Sequence, residues 1–273
     1  MDHHAALVAL AHQHLPTPTA DQWLGLALPA ARLEPIGDDA TRPVVGHLGG
    51  NPRLPDGAAW PQWPGHGPLT YIAGIDCAAL PATDLGMPFP ADGTLLFFYF
   101  DGQLDDGEAL VLPGEPDSAA GARVIYLPVD AATHEQTSPD GIRPYPRVHL
   151  TVRVHPTIGG TDHPRTVDTF DLADHRNDHP LHGDDFEEAL YQWQDDNGTG
   201  HQIGGYPNAV QGPVEYEIAE PSDAAQWLLL AQIESDGRAG MMWGDAGALY
   251  WLIRRDDLAA GRFDQARFTW QCG

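Results

Sequence analysis

The chain contains no lysine, so all 14 of its basic residues are arginines. This absence excludes chemistry that needs a lysine amine, such as Schiff-base formation or the anchoring of pyridoxal phosphate. Serine is almost as scarce, and none of Ser118, Ser138, Ser222 and Ser235 lies in a G-x-S-x-G sequence. The loops G-x-x-x-x-G-K-S/T and, after a strand, G-x-G-x-x-G are also absent, which argues against the common nucleotide-binding sites.

Cysteines and long apolar runs are rare as well. With only Cys77 and Cys272, the chain has neither a disulfide framework nor a C-x-x-C zinc site, although one bridge between the two stays open. No apolar run approaches the roughly 18–20 residues that a membrane span needs. The beginning, Met1-Asp2-His3-His4, lacks the basic region of a secretory signal. These features predict a soluble cytoplasmic protein.

Basic residues are few compared with acidic ones. The chain has 39 acidic residues against 14 basic ones, which gives a formal net charge of −25. Such a charge repels phosphate backbones and anionic membrane surfaces, so we expect neither nucleic acid nor membrane as a partner. A basic protein partner fits the charge, and a small-molecule ligand stays possible. Solubility, or adaptation to salt or to GC-rich coding, would explain the same composition.

The pattern of short apolar segments predicts an α+β fold that is predominantly β. With 30 glycines and 25 prolines, the chain must contain many turns and short elements. Short helices are expected at residues 3–14, at residues 21–28 and, in an acidic segment, at residues 184–196. We therefore expect an N-terminal helical segment over residues 1–35 and a single domain over residues 36–273. Runs rich in β-branched and aromatic residues predict strands at 69–75, 94–100, 123–129, 148–154, 227–233 and 248–253.

Three segments recur in the same order at a nearly constant offset. Gly49-Gly50-Asn51-Pro52 resembles Gly204-Gly205-Tyr206-Pro207, residues 69–75 resemble residues 227–233, and 93–98 resemble 247–252. The repetition predicts an internal duplication. Two half-repeats, at about 44–135 and 200–273, would pack together, joined by a polar middle segment rich in histidine and aspartate. A cleft between them would be a common position for a ligand.

The same segments carry a resemblance to a known family. The blocks His201-Gln202-Ile203-Gly204-Gly205-Tyr206 and Met242-Trp243-Gly244-Asp245-Ala246-Gly247 are its most specific parts. The chain resembles the YwqG-like family of bacterial proteins, a domain of unknown function. The resemblance implies a mostly β fold with internal duplication, and some members are thought to be immunity proteins against secreted toxins. Gly74 stands where the family has glutamine, whereas its counterpart Gln232 keeps that residue.

Several polar and aromatic residues are candidates for a binding site in the cleft. Trp243 would line a pocket or fill the core. Asp245 would cap a turn or act as a buried carboxylate. His201 suits recognition or proton transfer, and an interior Gln232 must bond either backbone or ligand. The full set of cleft candidates is Trp60, His201, Tyr206, Gln211, Gln232, Trp243 and Asp245.

A metal site is the other chemical possibility. His175, His179 and His182 lie close together among aspartates, and such residues suit zinc or a similar divalent ion. Pro180 interrupts any helix there, so the imidazoles need not share one face. We favour a solvated polar loop, and we predict neither metal nor cofactor.

The sequence therefore favours a soluble, non-enzymatic binding module for a protein partner. Two alternatives stay open at this point. The first is an enzyme, either a hydrolase that uses His201 with Asp236 or Asp245, or a metal-dependent one. The second is a small-molecule carrier that uses the cleft between the half-repeats.

Overall fold

A ten-stranded antiparallel sheet organises the fold. It is seen in a computed structural model, in which residues 3–37, 41–173, 178–198 and 200–273 are described. The predominantly β prediction is confirmed. The strands of the large sheet are β1 (Leu28–Pro35), β2 (Gly46–Leu48), β6 (Thr70–Asp76), β7 (Thr94–Tyr99), β8 (Ala122–Leu127), β10 (Val148–Thr157), β11 (His201–Gly204), β12 (Trp227–Glu234), β13 (Ala248–Arg254) and β14 (Arg267–Gln271). Two small sheets pair β3 (Arg53–Pro55) with β9 (Thr133–Glu135) and β4 (Gln62–Trp63) with β5 (Gly67–Pro68).

Short helices accompany the sheet. They are α1 (His3–His14), α2 (Thr17–Leu24), α3 (Ala82–Leu85), α4 (Pro164–Phe170), α5 (Asp184–Gly198), α6 (Glu215–Ile218), α7 (Pro221–Ala224) and α8 (Arg255–Ala259). The first and the acidic helix lie where the sequence predicts them. The second begins earlier than predicted, because Pro18 sits in its first turn, where the missing N–H breaks no bond.

The N-terminal helical segment is shorter than the predicted residues 1–35. Residues 28–35 form β1, which pairs with β10 on one side and β11 on the other. The segment is a strand because it lies at the centre of the sheet, since its sequence LPAARLEP has little intrinsic strand preference.

The N-terminal helices pack against the middle of the chain. Trp23 of α2 meets Phe186 of α5 edge-on, with ring centroids 5.1 Å apart. Around this contact lies a core of its own, to which α1, α2 and α5 contribute Leu7, Trp23, Phe186, Leu190 and Trp193. The middle segment thus forms a packed layer on the sheet.

On each side of the central pair of the large sheet, the strands follow in chain order towards the edge. The pair β1 and β10 is flanked by β11, β12, β13, β14 on one side and by β2, β6, β7, β8 on the other. The register of β6 on β7 shifts between Tyr71 and Ala73, and that of β12 on β13 between Leu229 and Ala231. These two irregularities lie 158 residues apart, which is the offset of the matching segments.

The sheet curls until its two sides touch. Phe97 of β7 packs against Trp251 of β13 at 5.1 Å, and Tyr99 packs against Phe268 of β14 at 4.9 Å. Phe97 and Trp251 are almost wholly buried. The result is a nearly closed sheet whose interior is the main hydrophobic core, with β8 and β14 as its two edges.

Two positions that lie 158 residues apart, 74 on β6 and 232 on β12, carry different residues. On β12, Leu229 is followed three residues later by Gln232, whereas on β6 Tyr71 is followed by Gly74. A Cβ atom at Gly74 would lie 2.3 Å from the Tyr71 hydroxyl oxygen. The tyrosine therefore occupies the space that the glutamine takes on the other side.

We predict that the residues at positions 71 and 74 are strongly coupled. Gly74→Gln alone should lower the free energy of unfolding by about 3 kcal/mol, because it overpacks the core against Tyr71. In a Tyr71→Leu background the same change should cost at least about 1 kcal/mol less. Urea unfolding of both single variants and the double variant measures the difference.

The control is Gly237→Gln, since nothing lies within 4 Å of a Cβ atom at that position. It should stay within about 0.5 kcal/mol of the parent chain. Equal costs for Gly74→Gln in the two backgrounds would contradict the coupling.

Candidate functional site

His201 is buried at the start of β11 and uses both of its ring nitrogens. The backbone N–H of Glu234 donates to Nδ1 at 3.1 Å. This bond leaves the proton on Nε2, which lies 3.3 Å from an Asp236 carboxylate oxygen. Burial lowers the pKa of His201, so the imidazole is neutral. No ring nitrogen is left to accept a proton from a nucleophile, which argues against the hydrolase alternative.

Asp236 anchors this cluster. Its carboxylate accepts from the backbone N–H of Arg238 at 2.7 Å and of Ala239 at 3.2 Å. The Arg238 guanidinium adds a contact at 3.1 Å. Burial alone would raise the pKa of Asp236, but the bonds from Arg238, His201 and Ala239 outweigh it and hold the pKa at about 2. The cluster thus ties the turn after β12 to the beginning of β11.

Two buried glutamines hold the loop that follows β11. The side-chain oxygen of Gln232 accepts from the backbone N–H of Asn208 at 2.9 Å. That of Gln271 accepts from the backbone N–H groups of Val210 and Gln211 at 2.8 and 2.9 Å. Gln232 therefore bonds backbone, the first of the two roles that the sequence allows it. The side chain of Gln211 itself is exposed.

Tyr206 belongs to a second buried polar cluster. Its hydroxyl donates to the carbonyl of Leu26 at 2.9 Å, and its ring meets that of His163 edge-on at 4.6 Å. His163 accepts at Nδ1 from the backbone N–H of Arg165, and its Nε2 lies 3.2 Å from Glu215. The cluster joins the N-terminal helices to the turn after β11. Sequence reasoning missed His163 and Glu215, because 52 residues separate them.

The remaining cleft candidates lie apart from these clusters. Trp243 is buried between Tyr99 and Tyr145, whose rings it meets edge-on at 5.9 Å each. Trp60 donates its indole N–H to the carbonyl of Leu69 at 2.7 Å. Asp245 is exposed in the turn before β13. The seven candidates thus serve several separate packing contacts and turns and do not line one cleft.

The histidines of the middle segment cap turns and bond acids. His179 accepts at Nδ1 from the backbone N–H of Leu181 at 3.2 Å, and His182 lies 3.1 Å from Glu187. His175 lies outside the described residues. Within the described ranges, no group of three or more histidine, cysteine or acidic side chains is arranged to hold a metal ion.

An open cleft lies where the two edges of the sheet approach each other. Two adjoining cavities, of about 630 and 310 Å³, form it, and both have a size typical of ligand sites. Residues 122–126 of β8 line one side, and residues 261–268, which lead into β14, line the other. Residues 111–119 cover one end. We call this site the seam cleft.

The seam cleft has apolar walls and charged ends. Val111, Ile218 and Phe268 line the smaller cavity, with Glu115 and Arg267 beside them. The Arg267 guanidinium is already engaged, since it stacks over Trp227 at 4.8 Å and donates to the carbonyl of Ile218.

The opposite end of the seam cleft is acidic. The hydroxyl of Tyr126 donates to the carbonyl of Asp92 at 3.2 Å. Partial burial, then Asp92 and Asp130, raise the pKa of this tyrosine. Asp264 lines the same cavity, and Arg123 lines it as well. Such a cleft suits an apolar segment with positive charge at its end.

One known family matches most of the chain. A family model described as a domain of unknown function (DUF1963) matches residues 46–272. The chain belongs to this family. A comparison with curated proteins finds no match.

The DUF1963 match contains both sides of the seam cleft and begins after β1, although β1 lies at the centre of the sheet. Both cysteines of this DUF1963 chain are free thiols, and burial raises the pKa of Cys77 to about 12. No helix in the described ranges is both long and apolar enough to cross a bilayer.

We predict an acid-sensitive contribution of Asp236 to the stability of this DUF1963 domain. Because its folded-state pKa of about 2 lies below the ordinary value, the ionised carboxylate stabilises the fold at neutral pH. That contribution, about 2 kcal/mol, should be lost as the pH falls from about 4 to about 2. Asp236→Asn should therefore be less stable at neutral pH and show a flatter pH dependence over this window.

Urea unfolding of the parent chain and the variant at a series of pH values measures this. The exposed Asp245→Asn serves as the control and should follow the parent curve. Parallel curves for the parent chain and Asp236→Asn would contradict the assignment.

Proposed function

We propose that the protein is a non-enzymatic binding module that holds a segment of a basic protein partner in the seam cleft. The observation that carries this proposal is the cleft itself, which is open, apolar-walled and placed between the two edges of a nearly closed sheet. The polar clusters elsewhere are engaged in holding turns and loops. The seam cleft combines an apolar lining with open access.

An internal duplication is part of this proposal. Its support is the mirrored strand order, the equivalent register shifts and the two Gly-Gly turns. Gly49 and Gly50 have φ of 55° and 75°, and Gly204 and Gly205 have φ of 70° and 71°. On this reading β8 and β14 are equivalent strands, and the seam cleft is the cleft between the half-repeats. The kinship with YwqG-like proteins belongs to the same proposal.

The charge favours a basic protein over a second copy of the chain. Two copies, each with a formal charge of −25, repel each other, whereas a basic surface is attracted and its association is accelerated. Neutralising a basic toxin is one role that such a module would fill, in line with the family resemblance.

A small apolar molecule is the second candidate ligand. The smaller cavity favours it, because it is about 310 Å³ in volume and most of its lining residues are apolar. Native mass spectrometry of the purified protein would reveal such a ligand as a constant added mass. The added mass should disappear in Leu112→Asp, which places a charge in that cavity.

We predict that a protein partner is captured from the source cell's lysate at low salt and lost at high salt, because charge steers the association. Leu112→Asp should weaken its binding at least about tenfold, since it puts a carboxylate into the apolar end of the cleft. Leu112 is 41 % exposed, so the change should leave the fold intact.

The matched control is Val44→Asp, which adds the same charge at a position that is 50 % exposed and away from the cleft lining. It should bind the partner as the parent chain does. Equal binding by Leu112→Asp and the parent chain would refute the seam cleft as the site, and the absence of a partner at either salt would refute the binding module.

A further inference from the structure

We propose that the partner segment binds as an extended strand that pairs with the free edge of β8. This inference rests on the proposed function and specifies how the seam cleft takes its partner. The larger cavity follows β8 along five consecutive residues, from Ala122 to Tyr126. A cavity that tracks a strand in this way leaves room for a further strand beside it.

The hydrogen-bonding pattern shows which groups of β8 face that space. The backbone N–H of Phe100 donates to the carbonyl of Gly121 at 2.8 Å, directly before the β7–β8 register begins with Tyr99 opposite Ala122. Bonded and non-bonded pairs alternate along an antiparallel ladder. Ala122, Val124 and Tyr126 are therefore non-bonded pairs, and their N–H and C=O groups point to the free edge.

The edge of β14 is covered by neighbouring segments. The indole N–H of Trp270 donates to the carbonyl of Val111 at 3.2 Å, which fixes the 111–119 segment beside β14. On the same strand Gln271 donates to Glu217 at 2.8 Å, and helix α6, which contains this glutamate, packs there as well. Phe263, from the segment before β14, stacks on Tyr126 of β8 at 5.5 Å, but no described backbone group bonds the outward N–H groups of β8.

β8 also lacks several of the features that protect edge strands from pairing. Natural edges are blunted by proline, by bulges or by inward-pointing charges. The strand sequence ARVIYL has no proline, and its register on β7 is continuous. Its one charged residue, Arg123, is exposed. An edge of this kind is a ready template for another strand.

Acidic residues at both ends favour a basic segment as the occupant. Asp92, Asp130 and Asp264 lie at the Tyr126 end of the edge, where Arg123 also lines the cavity, and Glu115 lies at the other end beside Arg267, whose guanidinium is already engaged. A strand with apolar residues in its middle and arginine or lysine at its ends satisfies both the walls and the carboxylates. A second copy of β8 would instead bring together two chains of formal charge −25.

The test is amide hydrogen exchange with a defined probe. The probe is a synthetic peptide of alternating valine and threonine flanked by arginine pairs, added to the full chain. We expect saturable binding and at least about tenfold slower exchange at the amides of Ala122, Val124 and Tyr126. The amides of Arg123, Ile125 and Leu127 already face β7 and should not change.

Two control peptides make the outcome decisive. A fully N-methylated analogue has no N–H to donate, and an analogue with glutamates in place of arginines carries the wrong charge, so both should bind at least about tenfold more weakly. Equal binding by the N-methylated analogue, or binding of the probe without protection of the three edge amides, would overturn strand pairing. Failure of the probe to bind would overturn it as well.

Different results would contradict the proposed function and the strand pairing. If the captured partner is lost in Leu112→Asp but leaves the edge amides of β8 unprotected, the binding module stands and strand pairing is wrong. If no partner is captured, the binding module itself is wrong, whatever the peptide does.

Discussion

The whole fold depends on the pairing of β1 with β10 at the centre of the sheet. These strands are far apart in the sequence, yet they pair from Leu28 opposite Thr157 to Pro35 opposite Leu150. Each then carries four further strands on its other side. This pair is the hydrogen-bonded connection between the two sides of the sheet. The closing of such a distant contact is entropically costly, and the packing of the two sides must offset it.

The central pair of strands also brings two like charges together. Arg32 lies directly opposite Arg153, and like charges in that position repel. Glu34 compensates, because it accepts from Arg153 at 2.8 Å and from Arg42 at 2.7 Å. Arg32 in turn donates to the carbonyl of Asn197 at the end of α5. Arg32 thereby connects the sheet to the helical layer.

Much of the sheet could be predicted from the sequence, because its long strands are rich in aromatic and β-branched residues. The segment at 248–253 is one residue shorter than β13, and the segment at 69–75 is shifted by one residue from β6. β1 could not be predicted in this way, since its strand conformation comes from its neighbours. For the site, the sequence indicated a cleft between the half-repeats but named residues that the fold buries, such as Trp243. Only the strand order shows that β8 and β14 are edges, so Ile125 and Phe268 gave no signal as lining residues.

Incomplete closure of the sheet links stability to the proposed function. The aromatic contacts between Phe97, Trp251 and Phe268 bury the interior without requiring that the last two strands pair. A fully closed sheet would satisfy those edges and leave no place for a partner, whereas an open edge invites unwanted pairing. In the proposed function, the large negative charge of the chain resolves this conflict, because it repels other copies of the chain while it attracts a basic partner. An open edge and a large negative charge would then be complementary parts of selective binding.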